Sequence, residues 1–211
     1  MTTQLIDDQP ISASFFGEGK WLTDFIRPKS LEVQRLYAKL TDGIRDPEDR
    51  IVACWNWVAS EVKYKEVIYA RINVAGKISV QQDYWAEPGQ TICTCVGNCA
   101  NKAFLLTSLL RNEYPSDKVY CVLGNLYNGK PGGHAWVQVA YDGDEFVVEA
   151  TRPDVQPLVR VSVATRYEPV HLFNDEVVTT VPGATALEPF TRCYSVWLRD
   201  YLDWAYIKGR S

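Results

Sequence analysis

The stretch GNCANKAFLLTSLLR, residues 97–111, decides how the rest of the chain is read. Gly97-Asn98-Cys99 opens a helix that runs from Cys99 to about Arg111. That helix is apolar on nearly all sides, so it belongs at the centre of a core and not on a surface. Its first turn carries a thiol. A helix N-terminus favours an anion there, which turns an ordinary cysteine towards its reactive thiolate form.

Upstream, the pattern predicts two more helices. Ser30 can cap one running to about Thr41, with Leu31, Val33, Leu36, Tyr37 and Leu40 on its inner face. Asp46-Pro47-Glu48-Asp49 starts another, to about Lys63: a capping side chain, Pro at the first helical position, then acids at the positive dipole end. It would bury Ile51, Cys54, Trp55 and Val58. Residues 1–29 read as irregular, pinned by Phe15, Phe16, Trp21 and Phe25, and residues 64–92 as mixed, with a turn at Glu87-Pro88-Gly89-Gln90.

Downstream, the hydrophobic period changes to two. Lys118–Gly124, Ala135–Tyr141 and Glu145–Ala150 read as strands, with Asp142-Gly143-Asp144 as the hairpin turn between the last two. Leu158–Val163 and Val177–Val181 add further strands. Arg192–Ile207 reads as a closing amphipathic helix, docked by Trp197, Leu198, Tyr201 and Trp204. Helices first and antiparallel strands later make an α+β arrangement. With no repeat and no linker, residues 1–211 read as one domain: an extension over 1–44, a core over about 45–170 and a closing segment over 171–211.

Composition narrows the function classes. The 211 residues carry 22 Lys+Arg against 26 Asp+Glu, a formal net charge of −4, and no basic run. Nucleic acid and anionic membranes both need a basic footprint, so neither is expected as a partner. No apolar run of about 18 residues exists to span a bilayer. Met1–Pro10 lacks the basic start and apolar stretch of a signal peptide, so a cytoplasmic location is expected. In that compartment the six cysteines, Cys54, Cys93, Cys95, Cys99, Cys121 and Cys193, read as free thiols.

The hairpin also brings chemistry together. His134, in Gly132-Gly133-His134-Ala135-Trp136, stands at the start of one strand. Glu149 stands near the end of its antiparallel neighbour, so the two side chains should be close. A thiol at neutral pH is mostly protonated, and an adjacent imidazolium stabilises its anion. A carboxylate fixes the imidazole tautomer and supports its charge. Cys99, His134 and Glu149 thus form an activated nucleophile, a base and an orienter, the general plan of covalent acyl transfer. Alone, Cys99 reads as a packing thiol and Glu149 as a solvated strand-edge acid; together in register they read as a site. His171, with no cysteine nearby, reads as structural. Asp154 is the alternative acid, although it follows Pro153 and lies beyond the strand.

The strings VGNCANKAFLLTSLLR (96–111), GGHAWVQV (132–139) and FVVEAT (146–151) resemble the three motifs of the transglutaminase-like superfamily. Gly97, Cys99, Ala103 and Arg111 match the first, His134 to Val137 the second, and Glu149 with Thr151 the third. Trp55-Asn56-Trp57-Val58 and Tyr64 add to the likeness, which covers about residues 45–170. The resemblance implies a papain-like core and assigns Cys99, His134 and Glu149 as its triad, with Glu where Asp is commoner. It implies amide chemistry through a thioester on a peptide or protein substrate. Hydrolysis by a cysteine peptidase or amidase is the expected reaction, and transfer to a lysine amine by a cross-linking transglutaminase is the alternative.

For substrate contact, Gly97 should leave room for a backbone to approach Cys99, and Trp136 accompanies His134. The backbone N–H of Cys99 is one candidate oxyanion donor, with Gln82, Trp85 or Gln90 as the other. Cys93-x-Cys95-x3-Cys99 lacks the second pair that a structural zinc site uses, and Asp142–Asp144 is too short for an EF-hand loop, so no metal and no cofactor is expected. Cys93 or Cys95 is also placed to form a reversible disulfide with Cys99. The rival readings are a binding module that kept the fold, and a zinc-stabilised domain using Cys93, Cys95, Cys99 and His134.

Overall fold

A computed structural model describes residues 2–6, 22–74, 77–82, 84–185 and 187. Four α-helices among these residues build one apolar core, with the last at its centre: α1 (Leu31–Thr41), α2 (Pro47–Glu61), α3 (Pro88–Thr94) and α4 (Cys99–Leu110). Asp46 Oδ1 accepts from the N–H groups of Glu48 at 2.8 Å and Asp49 at 3.3 Å, and so starts α2. Its buried face carries Ile51, Cys54, Trp55 and Val58. The α1 start differs from expectation. Ser30 occupies the cap position, but its hydroxyl is buried with no hydrogen-bond partner among the described residues, and Leu31 points outward at 54% exposure. Val33 and Leu36 carry the burial of that helix instead.

The Glu87–Gln90 segment is not a turn. Pro88 takes the first helical position of α3, and Glu87 and Gln90 close a reciprocal capping box across it. The Pro followed two residues later by Gln is the signal that marks this start. In α4, every residue from Ala100 to Leu110 is buried, and Asn98 Oδ1 caps the helix by accepting from Asn101 N–H at 3.1 Å.

Eleven strands are described. β1 (Thr2–Ile6), β3 (Tyr69–Val74) and β4 (Lys77–Gln82) form a small antiparallel sheet, so the N-terminus begins with a strand and residues 64–92 contain a hairpin. β2 (Lys63–Tyr64) and β5 (Val96–Gly97) pair in parallel. The large sheet is antiparallel, in the order β11 (Val178–Thr180), β10 (Tyr167–Phe173), β6 (Val119–Leu126), β7 (Gly132–Tyr141), β8 (Asp144–Val148), β9 (Val159–Arg160).

β7 and β8 are joined by Asp142 (φ 49°) and Gly143 (φ 80°), two left-handed residues as a tight primed hairpin turn requires. Asp144 is therefore the first residue of β8, facing Tyr141. After Arg160 the chain turns into a short 3-10 helix over Val161–Val163, which replaces the second half of the expected 158–163 strand. β10 was not foreseen. Pro169 breaks its strand pattern, and the ladder to β6 slips between Pro169 and His171, an irregularity of the kind that lets a sheet carry a proline.

α4 packs on one face of this sheet, against Cys121, Leu123, Ala135, Val137, Val139 and Val148. Phe104 lies at the middle, 5.1 Å from the rings of Phe25 and Trp85 and 6.0 Å from Phe173. The opposite face carries a separate cluster of Val122, Trp136, Val147 and Ala164. No helix among the described residues is long and apolar enough to cross a membrane. Phe15, Phe16, Trp21 and the expected 192–207 helix lie outside the described residues.

Candidate active site

The β7 ladder sets the site. His134 lies within β7, opposite Gly124 of β6, and Glu149 follows the last residue of β8. The structure brings the two together: His134 Nε2 and Glu149 Oε2 are 2.7 Å apart, with side chains 12% and 8% exposed. Burial at this level strengthens each polar contact and penalises any that is missing.

Glu149 is held on every side. Oε1 accepts from the Thr151 N–H at 2.9 Å and the Thr151 hydroxyl at 2.6 Å. Oε2 also accepts from the Tyr167 hydroxyl at 3.1 Å, and the backbone oxygen accepts from Trp55 Nε1 at 2.7 Å. Burial opposes the carboxylate charge, but the His134 bond and charge and the two Thr151 donors outweigh it and hold the group below the usual carboxylate range.

His134 is framed by rings. Trp136 lies nearly parallel to it at 6.3 Å, and Tyr167 is tilted at 6.4 Å. The Trp136 ring reaches across β6 only because residue 124 is glycine: a Cβ there would stand 2.5 Å from Trp136 Cη2 and 2.2 Å from the Glu168 carbonyl oxygen. Cys99 is the other hydrogen-bonding and charge partner of the same imidazole. Burial disfavours the imidazolium, but hydrogen bonds and charge interactions with Cys99 and Glu149 prevail and raise its pKa.

Cys99 is the first residue of α4, where the helix itself leaves the backbone N–H without a partner. Gly97 packs closely against its own chain. The space beside it is filled by this chain: a Cβ there would lie 3.1 Å from Asn101 Cβ and 3.4 Å from Val62 Cγ1. The missing side chain thus lets β5 pack closely on α4.

The oxyanion candidates are dispersed. Trp85 is 4% exposed in the aromatic core, and Gln90 Oε1 accepts from the Glu87 N–H at 3.0 Å as part of the α3 cap. Gln82 ends β4, and its side chain lies outside the described structure. Tyr64 stands opposite Gly97 at 44% exposure; burial, then the charges of Cys99, Glu66 and Glu149, raise its pKa.

Asp154 is exposed and pairs with Arg152 at 2.7 Å, away from His134. His171 is buried in β10 beside the Thr180 hydroxyl, 3.0 Å from Nδ1, and burial pushes its pKa down to about 4. Cys54, Cys93, Cys95, Cys99 and Cys121 are all free thiols. No group of three His, Cys, Asp or Glu side chains converges as a metal site among the described residues, so the zinc arrangement of Cys93, Cys95, Cys99 and His134 is not formed.

Three neighbours of the site escaped the sequence reading. Tyr167 belongs to the unforeseen β10. Trp55 reads as core and as part of the Trp-Asn-Trp likeness, without a link to Glu149. Lys102, buried one turn into α4, was absorbed into an apolar helix. The Trp-Asn-Trp string and a lone lysine in an otherwise apolar stretch were the available signals for the last two.

The sequence model described as the transglutaminase-like superfamily matches residues 34–149. Among solved structures, LapG of Legionella pneumophila aligns at 16% identity with a TM-score of 0.46, covering 72% of this chain and 90% of that one. Its calcium-bound form aligns at 15% identity and 0.44, covering 75% and 93%. A Cytophaga hutchinsonii protein titled as a candidate cysteine protease aligns at 16% and 0.44, covering 74% and 50%. A comparison with curated proteins finds no match. The family match begins in α1, takes in the Cys99 helix and the His134 strand, and ends on the Glu149 carboxylate; since it spans more than half of the chain, this protein belongs to the transglutaminase-like superfamily.

Proposed function

We propose that this chain is a cysteine-nucleophile hydrolase that cleaves amide bonds in a peptide or protein substrate. The observation that carries the reading is the buried His134–Glu149 pair, 2.7 Å apart, with Cys99 as the other partner of the same imidazole. The Cys99 thiolate attacks the carbonyl carbon. The oxyanion that forms is met by the Cys99 backbone N–H at the start of α4. The His134 imidazolium gives its proton to the departing amine, which leaves a thioester on Cys99. His134 then takes a proton from water, the hydroxide attacks the thioester, and collapse releases the carboxylic acid and returns the Cys99 thiolate beside the His134 imidazolium. Glu149 keeps the imidazole oriented and balances its charge throughout.

The test is pH-dependent alkylation. Cys54 is buried, with its pKa pushed up to about 12 by burial and then by Glu113, and Cys121 is buried as well. Among the described thiols Cys93 is the exposed one and Cys95 is half-buried, so Cys93 is the strongest competitor there. Brief iodoacetamide treatment at pH 6 followed by peptide mapping should label Cys99 ahead of Cys93, because only an imidazolium-paired thiol stays reactive in acid. Labelling of Cys93 alone at pH 6 refutes the reading. Cys99→Ala should abolish turnover of small amide or thioester substrates, and added primary amine should leave the hydrolysis product dominant. Dominant amide transfer would replace hydrolysis with cross-linking.

A further inference from the structure

Lys102 takes no part in those steps, yet it is 1% exposed. It follows Cys99 by three residues on α4, a spacing that puts both on one face of the helix. Its Nζ donates to the Val62 carbonyl oxygen at 2.8 Å and to the Ala59 carbonyl oxygen at 3.2 Å. Those oxygens belong to the end of α2, a helix with no basic residue in its own last turn. The partial negative charge of that helix end is therefore met by a cation from α4.

The same corner leads to the nucleophile. Beyond Val62 the chain enters β2, whose Lys63 N–H donates to the Cys95 oxygen at 2.8 Å and whose Lys65 neighbour donates to the Gly97 oxygen at 3.1 Å. The Lys102 stem lies against Gly97, where a Cβ would come within 3.5 Å of Lys102 Cγ. Glu149 is tied to α2 as well, through Trp55, one turn before Ala59.

The charge itself needs an explanation. No carboxylate hydrogen-bonds to Lys102 among the described residues. Burial lowers its pKa to about 8, while the charge of Glu149 works the other way. α2 presents carbonyls to it, and the end of β8 presents the charge of Glu149. An ammonium bonded only to carbonyls is costly to bury, and an apolar side chain of similar length would fill the space without that penalty.

Building on the proposed hydrolase reading, we propose that Lys102 is a positioning residue for the Cys99 site. It fixes the first turn of α4 against the end of α2 and places a positive charge within reach of Glu149, one helical turn from Cys99.

The experiment measures the iodoacetamide rate at Cys99 against pH in the full chain and in Lys102→Met, Lys102→Gln and Lys102→Arg. Lys102→Met should keep its thermal transition at or above that of the wild type. Its Cys99 profile should move to higher pH by about half to one pH unit, slowing labelling at pH 6 by about three- to ten-fold. Lys102→Gln, neutral but still a donor, should move it likewise, and Lys102→Arg should restore most of the rate. Profiles that coincide in wild type, Met and Gln variants overturn the proposal, and so does loss of the fold in both neutral variants, which would make the charge structural. A wild-type Cys99 without reactivity at pH 6 is a different failure, that of the hydrolase reading itself.

Discussion

Two imidazoles are buried in the same six-stranded sheet and behave in opposite ways. His171, in β10, is 3% exposed and meets the neutral Thr180 hydroxyl, and burial drives its pKa down to about 4. At His134, in β7, burial is again the largest influence and again disfavours the charge. There Cys99 and Glu149 together overcome it. Position in a sheet therefore does not set the charge of a histidine. At His134 the Cys99 thiol and the hydrogen-bonded Glu149 carboxylate raise the pKa against burial.

Removing the Glu149 charge should make His134 resemble His171. Glu149→Gln keeps the shape and loses the charge. It is expected to lower kcat/KM on a small amide or thioester substrate by about 10⁴-fold, the scale seen when the aspartate of a serine-protease triad is replaced by its amide. The His134 titration, followed by NMR of the ring protons, should fall towards that of His171. Activity within about tenfold of the wild type would break the comparison, because the imidazole would then not depend on its carboxylate.

The two rings should also act on opposite sides of the stability curve. The folded pKa of His171 lies below its unfolded value, so the unfolded chain takes up a proton first as pH falls. Stability is lost between about pH 6.5 and 4. The folded pKa of His134 is raised, so its contribution is complete below the unfolded value and is lost as pH rises through the folded one. Thermal melts at pH 7 and pH 5 should show a Tm lower by several degrees in acid. His171→Gln, which does not titrate, should flatten that drop. An equal drop in the variant would remove His171 from the account.

What could be read from the chain follows the reach of each contact. The α4 helix, the β7–β8 hairpin and the closeness of His134 to Glu149 depend on pattern and on a two-residue turn, all within a short span of sequence. The α3 capping box was equally local, but its Pro-Gly pair reads first as a turn. β10 was hidden for a different reason. Pro169 breaks the strand alternation, and the ladder that admits it is formed with β6, more than forty residues earlier in the chain. Tyr167 was missed along with β10. Its hydroxyl supplies one of the bonds to Glu149 Oε2, and its ring packs on Trp136 at 5.1 Å. Tyr167→Phe removes the bond and keeps the ring, so activity should fall by about tenfold or less, with the Glu149 pKa moving upward. A loss as large as that of Glu149→Gln would mean that Tyr167 acts on the substrate and not through the carboxylate.

The smallest effect is expected where the sequence offered a second acid. Asp154 stands five residues beyond Glu149 and carries the same charge, so sequence distance hardly separates them. Their surroundings do. The Asp154 side chain is 64% exposed, and its two oxygens meet Arg152 Nε at 3.1 Å and Nη2 at 2.7 Å in a pair open to solvent. That guanidinium holds its carboxyl below the usual range without any link to His134. Exposed ion pairs of this kind contribute little, because water screens them and two mobile side chains must be ordered to form them. Asp154→Asn should therefore leave activity within about twofold of wild type and the thermal transition unmoved. The variant is informative because its failure is specific. If it proves more damaging than Glu149→Gln, the carboxylate on His134 has been misidentified, and the register that sets Val137 against Val148 must be wrong with it.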